Sequence, residues 1–474
     1  MRNFAAVICI LLAVSTGARA DQIDDFVTQQ MQKRNIRGLS LAVIENGRIV
    51  KAKGYGFTDR VSRNPVTTET LFQAGSVSKA VSAVGALRLV EQGRLSLDED
   101  VNRRLATWKL PDSPLTKDEK VTLRRILSHS AGLTVHGFPG YAVDAPRPTL
   151  VQVLNGERPS NTPAIRVDVA PGSQWRYSGG GYTILQQMMI DVTGKSFPDQ
   201  MRENVIEPLG MRDSTFEQPL PPGKARATAS GYFPEARPVP GRWHVYPEMA
   251  AAGLWTTPSD LARFAIGVQR AYAGAPGAIL TQPTARQMLT YQKADDGLGL
   301  FLQSSGRTLR FVHNGRDAGF DALLSAYAET GQGAVIMINA NEDSQMMTRI
   351  LEVIARQYRW PGLPIQPRYT AIPDSEPSLA AKVRAIFVHL AAGVVDRDQM
   401  SPQLSALIDS QMKTGLAKFL KDVGTLRGIE LVERKEQGIV RVRRYRLMFS
   451  RQSWLAPCTF DKDDRLSSIA LEPE

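Results

Sequence analysis

Ser76-Val77-Ser78-Lys79 stands where a helical pattern begins, running from about Ser76 to Gln92. A serine and a lysine three residues apart share one helix face, so an amine can sit against a hydroxyl. Backbone N–H groups at a helix start lack intrahelical partners and favour developing negative charge by roughly 0.3 to 1 kcal/mol. That combination suits a hydroxyl made reactive by a neighbouring amine that handles its proton. To act as a base near neutrality, a lysine must fall about three units below its ordinary pKa of about 10.4, roughly 4 kcal/mol that burial or neighbouring cations must supply. Alone the tetrad specifies little, because serine is a common helix cap and lysine a common surface residue.

Its company specifies more. Tyr177-Ser178-Gly179 follows Pro171-Gly172 and precedes a helical pattern, and His313-Asn314-Gly315 sits on a strand whose end could line the same cleft. The chain also carries Gly54-Tyr55-Gly56, Gly93-Arg94-Leu95-Ser96-Leu97-Asp98, Leu127-Ser128-His129-Ser130-Ala131-Gly132-Leu133, Pro208-Leu209-Gly210-Met211, and Gly253-Leu254 ahead of Asp260-Leu261. With these landmarks in this order, about residues 25–360 resemble the serine beta-lactamase-like family, which includes class C beta-lactamases, DD-peptidases, D-aminopeptidases and related esterases.

The resemblance implies a role for each position. Ser76 would attack a carbonyl to form an acyl-enzyme, with Lys79 and Tyr177 shuttling protons; which of the two is the base in each step stays open. The backbone N–H groups of Ser76 and Arg316 would hold the oxyanion, each typically worth about 10²- to 10³-fold in rate. His313 and Gly315 would position substrate. Two departures matter. Gly179 replaces an asparagine that grips the substrate amide in many relatives, and His313 replaces a lysine. Both favour an esterase or peptidase over a beta-lactamase. The competing class is a non-catalytic penicillin-recognising sensor that keeps the fold.

Lys413-Thr414-Gly415 spells the third motif of many beta-lactamases, but Leu407, Ile408, Met412, Leu416, Phe419 and Leu420 around it recur at helical spacing, whereas that motif needs a strand. Ser-Asp-Asn is absent, and Ser259-Asp260-Leu261 reads as a helix start. None of His129, His136, His244, His313 and His389 shows zinc spacing, so neither metal nor cofactor is expected. His129 is expected to brace a helical subdomain. For Arg316 the alternatives are binding a substrate carboxylate or a solvated surface position. Trp175, Trp243 and Trp255 form an apolar acyl pocket or plain core.

These residues need a scaffold. Alternation from Leu39 to Gly56 around Asn46-Gly47 predicts an antiparallel hairpin, and strand patterns recur at Leu309 to Val312, Ala322 to Ala328 and Ala334 to Asn339. The intervening patterns are mostly helical. Ser344 to Tyr358 predicts a helix with Met347, Ile350, Leu351 and Ile354 on one face. The expected fold is α/β (α+β) and DD-peptidase/beta-lactamase-like: an antiparallel sheet built from both ends of the domain, flanked by helices, with a helical insertion.

Expected boundaries are a leader at 1–20, the hydrolase-like domain at 21–360, a proline-rich linker at 361–377 and a small α+β module at 378–474. The leader reads Met-Arg, then an apolar run from Phe4 to Val14, then Ala18-Arg19-Ala20, the pattern of a cleaved secretory signal. It predicts a periplasmic or secreted protein with no integral membrane segment after cleavage. Losing the leader would remove Cys9, leaving Cys458 as an inert core residue without a disulfide partner, and lower the formal charge from +11 to +9. At 43% hydrophobic and 22% charged, the composition indicates neither disorder nor a membrane bundle. No nucleic-acid motif occurs. The expected partner is a small-molecule or peptide substrate.

In the module, two helical patterns precede three or four strands separated by Gly438 and Asp463-Asp464. Arg441, Arg443, Arg444, Arg446 and Arg451 give either a solvated basic sheet face or a surface for a cell-wall or other anionic partner.

Overall fold

Asn46 and Gly47 both adopt positive φ, 52° and 67°, as a two-residue type I′ turn requires. They close the hairpin of β1 (Gly38–Glu45) and β2 (Arg48–Gly56). The computed structural model describes residues 21–473 apart from 305, 343–344, 363–369, 412–415 and 438–439, and divides the chain into two units at 363/364. The leader, Pro364, Pro367, Lys413-Thr414-Gly415 and Gly438 lie outside the described residues.

The first unit completes its sheet with β3 (Phe301–Gln303), β4 (Arg310–Asp317), β5 (Phe320–Tyr327) and β6 (Gly333–Ile338). The order is β2-β1-β6-β5-β4-β3, antiparallel throughout. Strands from the two ends of the unit therefore meet at β1 and β6, where Leu39 pairs with Ile338 and Ile44 with Gly333. Both faces are covered, which explains the nearly continuous apolar runs of β1, β5 and β6. Leu39, Leu41, Val43, Ile336 and Ile338 pack against α1 (Gln22–Arg34) and against α5 (Gln345–Gln357), which contributes Met347, Ile350, Leu351 and Ile354. Ala42, Ile44, Val335 and Met337 join the larger core on the other face.

That core holds α2 (Val77–Glu91), α3 (Gly179–Thr193) and α4 (Pro258–Tyr272). Asp260 stands in the first turn of α4, after the Thr257 cap. Nearly every residue of α2 is buried, serines included, so it is a central helix rather than an amphipathic cover. Trp243 and Trp255 stack edge to face at 5.2 Å inside this core; neither lines the cleft described below.

Among the described residues the second unit holds the α-helices α6 (Pro377–Ala391), α7 (Pro402–Gln411) and α8 (Ala417–Val423). The second helical pattern is described over α7 and α8, on either side of residues 412–415. Five strands follow: β7 (Leu426–Gln437), β8 (Val440–Phe449), β9 (Ser453–Phe460), β10 (Leu466–Ile469) and the two-residue β11 (Glu472–Pro473), too short for a periodicity to reveal. The order is β7-β8-β9-β10, with β11 on β9.

The basic strand is not a uniformly solvated face. Register sets Glu430, Glu433 and Glu436 of β7 opposite Arg446, Arg444 and Arg441 of β8, an arrangement that favours cross-strand charge pairing. Arg446 Nη1 lies 2.8 Å from Glu430 and Arg444 Nε 3.1 Å from Glu433. Arg443 is itself buried, paired with Glu376 and with Glu436 at 2.7 Å. Cys458 lies in the core, its thiol pushed well above the usual range by burial.

Candidate active site

Ser76 immediately precedes α2, and its side chain makes no capping hydrogen bond. The hydroxyl instead accepts from Lys79 Nζ at 2.9 Å. Lys79 is 2% exposed, and its second acceptor is the Ala251 carbonyl at 2.8 Å. That carbonyl belongs to the short helix Met249–Ala252, which is held from several sides. Ser82 donates to Ala250 O at 3.1 Å, Ala250 N–H donates to Gln186 of α3 at 3.0 Å, and Leu254 N–H donates to Ser78 Oγ at 3.0 Å. The buried serines of α2 thus fix the strap that orients Lys79.

Tyr177 arrives from the segment preceding α3, with its ring 5.1 Å from Lys79 Nζ. His129 and His136 crowd the ring, with centroids 4.1 and 4.8 Å away. His129 is buried, and its Nδ1 accepts from the Ser178 N–H at 3.1 Å, so the ring proton resides on Nε2. Burial first, then Lys79, drives the His129 pKa well below its ordinary value. The expected brace of a helical subdomain is therefore also a direct neighbour of the phenol.

β4 supplies the opposite wall. His313 is buried beside Phe301, with ring centroids 5.2 Å apart, and its Nδ1 donates to the Asn314 carbonyl at 2.7 Å. Burial, followed by the Lys79 charge, pushes its pKa down to about 3; His313 is a neutral imidazole at working pH. Gly315 and Gly75 allow the strand to press on the nucleophile turn. A Cβ on Gly315 would lie 1.8 Å from Ala74 O, and one on Gly75 would lie 2.3 Å from Arg316 N. The hairpin closes on the pair Asp317–Phe320, so the alternation of antiparallel bonds turns the Arg316 N–H away from its partner strand and toward Gly75 and Ser76. Both expected oxyanion donors thus border one opening.

The opening is a cleft of about 700 Å³ lined by Ser76, Lys79, Tyr177, His313 and Gly315, with Phe138, Trp175 and Phe301 as its aromatic side. Gly179 is not among its lining residues: a Cβ there would meet Phe138 Cε2 at 3.0 Å and the His136 carbonyl at 3.1 Å. Arg316 is exposed at the opening, as a surface position would be, but its guanidinium is engaged. Its Nε and Nη2 donate to Asp321 at 2.7 and 2.6 Å. Among the described residues no set of His, Cys, Asp and Glu side chains gathers as metal ligands.

Several cleft residues carried no motif. His136 was visible only as a histidine without zinc spacing, and Phe138 and Phe301 lie in loops or edges without periodicity. Asp317 lines the cleft with both carboxyl oxygens buried and without a hydrogen bond of ordinary geometry. Burial holds it well above the carboxylate range, although Lys79, the Gly75 backbone and Tyr246 oppose this. Trp175 donates to the buried Asp296 at 2.6 Å, and burial pushes Asp296 up to about 7.

Comparison with known proteins gives the family and the fold. The Beta-lactamase family profile matches residues 23–358. Protein flp of Staphylococcus aureus (strain N315) is 27% identical over 248 residues, 52% of this chain and 46% of that protein, so the chain spans about half the length of that relative. Penicillin-binding protein 4* of Bacillus subtilis (strain 168) is 24% identical over 343 residues, 68% of this chain and 72% of that one. Among solved structures, the octameric penicillin-binding protein homologue from Pyrococcus abyssi covers 92% of this chain and 89% of its own, with TM-score 0.58 and 21% identity. A class C beta-lactamase mutant covers 71% and 96%, with TM-score 0.56 and 23% identity. At these identities the structural likeness speaks for the fold.

Proposed function

The chain belongs to the beta-lactamase family, and on that premise we propose that it is an exported serine hydrolase cleaving a small ester, amide or D-amino-acid peptide through an acyl-enzyme on Ser76. The observation that carries this reading is the 2.9 Å contact between buried Lys79 and the otherwise uncapped Ser76 hydroxyl. In the reaction the Ser76 oxygen adds to the substrate carbonyl while its proton passes to the Lys79 and Tyr177 pair. The negative oxygen of the tetrahedral species lies between the N–H groups of Ser76 and Arg316. Collapse expels the alcohol or amine, which takes up the proton, and water releases the acyl group by the reverse transfer.

An ester or peptide ranks above a beta-lactam because two grips common in relatives are missing. Position 179 has no side-chain amide, and the third-motif cation is replaced by neutral His313. Export rests on the leader-like residues 1–20.

The test offers p-nitrophenyl esters, D-alanyl peptides and nitrocefin to the purified protein and to Ser76→Ala, with intact mass followed over time. We expect turnover of at least one ester or peptide and a loss of at least about 10³-fold in the alanine variant. A variant equal to its parent on every substrate would sink the assignment. A persistent adduct without product release would favour a penicillin-recognising sensor, and rapid nitrocefin loss a true beta-lactamase.

A further inference from the structure

Arg316 carries the only guanidinium lining the cleft among the described residues, and its side chain is 59% exposed at the opening. A cation so placed, one peptide unit from the oxyanion position, would ordinarily receive a substrate carboxylate. Here it is already engaged. Nε and Nη2 fork onto the two oxygens of Asp321 at 2.7 and 2.6 Å, and Nη2 also donates to the Glu342 carbonyl. Asp321 is 2% exposed and accepts two more bonds, from Glu342 N–H at 2.9 Å and Asn341 Nδ2 at 3.1 Å. Four donors on one buried carboxylate fix its position, and the fork fixes the guanidinium in turn.

Neither Lys79 nor His313 replaces it. Lys79 is committed to Ser76 and Ala251, and His313 is neutral. A substrate carboxylate seeking a two-point grip on Arg316 must displace Asp321 or the Glu342 carbonyl from Nε and Nη2, and displacing Asp321 leaves that carboxylate buried without its partner.

We infer that Asp321 is a specificity-determining residue: by clamping Arg316 it withholds the guanidinium from substrate, so that the site selects esters and amides bearing no carboxylate next to the scissile bond. The inference rests on the serine hydrolase reading above. It identifies the substrates as neutral acyl donors, with an apolar or flat group lying against Phe138, Trp175 and Phe301.

The test compares phenyl phenylacetate with 3-carboxyphenyl phenylacetate, whose leaving groups are of similar basicity, at pH 8, where ordinary imidazoles are uncharged. In the parent, kcat/KM should favour the neutral ester by about tenfold or more. Asp321→Asn should narrow that ratio by about tenfold through the carboxylate ester, and adding Arg316→Gln should abolish the gain. Arg316→Gln alone should leave the parent ratio within about twofold. If Asp321→Asn does not fold, that single variant decides, because a tenfold loss confined to the carboxylate ester would show that Arg316 already binds it. A parent that takes both esters equally well overturns the clamp. Failure of the hydrolase reading looks different: neither ester is turned over faster by the parent than by Ser76→Ala, and both proposals fall.

Discussion

Lys79 in the first unit and Arg443 in the second are each 2% exposed, yet they are treated in opposite ways. Arg443 meets Glu376 and Glu436. Lys79 meets a hydroxyl and a carbonyl, and among the described residues no carboxylate stands within ion-pair distance of it. Burial pushes the pKa of its carboxyl neighbour Asp317 well above the ordinary carboxylate range. A cation neutralised by two carboxylates is held in place and chemically quiet. A cation buried without a counter-charge destabilises the fold, which is the usual signature of a group kept for chemistry.

The largest test of this contrast is Lys79→Met. We expect kcat to fall by about 10³-fold, within the range of lost acid–base catalysis, while the unfolding midpoint of the first unit stays level or rises. A fall in both would make Lys79 structural and erase the distinction. Arg443→Met should do the reverse, lowering the stability of the second unit by about 3 kcal/mol in denaturant titration, with kcat/KM within twofold of the parent.

Glu248 sharpens the comparison through pH. It caps the helix that holds Lys79, and burial pushes its pKa from 4.5 up to about 7. The unfolded chain releases this proton first, so the associated stability is present below pH 4.5 and lost as pH rises through about 7. Glu248→Gln should remove up to about 3 kcal/mol of that decline, read as a smaller difference between unfolding free energies at pH 5 and pH 8. An unchanged difference would mean that Glu248 is not held protonated. The smallest effect concerns Gly179→Asn. Because a Cβ there meets Phe138 and the His136 carbonyl, we expect about 1 kcal/mol of destabilisation and no gain in nitrocefin turnover. A clear gain would show that only the missing amide separates this cleft from that of a beta-lactamase.

Much of the scaffold was legible in the chain. Asn46-Gly47 announced its hairpin because only a few residues tolerate two successive positive φ values. The strands around His313 and the helices at Ser76 and Gln345 were readable because burial imposes periods of 2 and 3.6. The short β11 was not, since so few residues establish no period.

The sequence by itself singled out groups that the structure brings to one cleft: Ser76, Lys79, Tyr177, His313 and the glycines that let strand and turn touch. Side-chain chemistry and local spacing are properties of residue type and order. Tertiary structure alone decided their states: that Lys79 has no counter-charge, that His313 is neutral, that Asp321 occupies Arg316 and that glutamates answer the arginines of β8. These depend on burial and on partners distant along the chain, and electrostatic energy at a few ångströms is set by who the neighbour is.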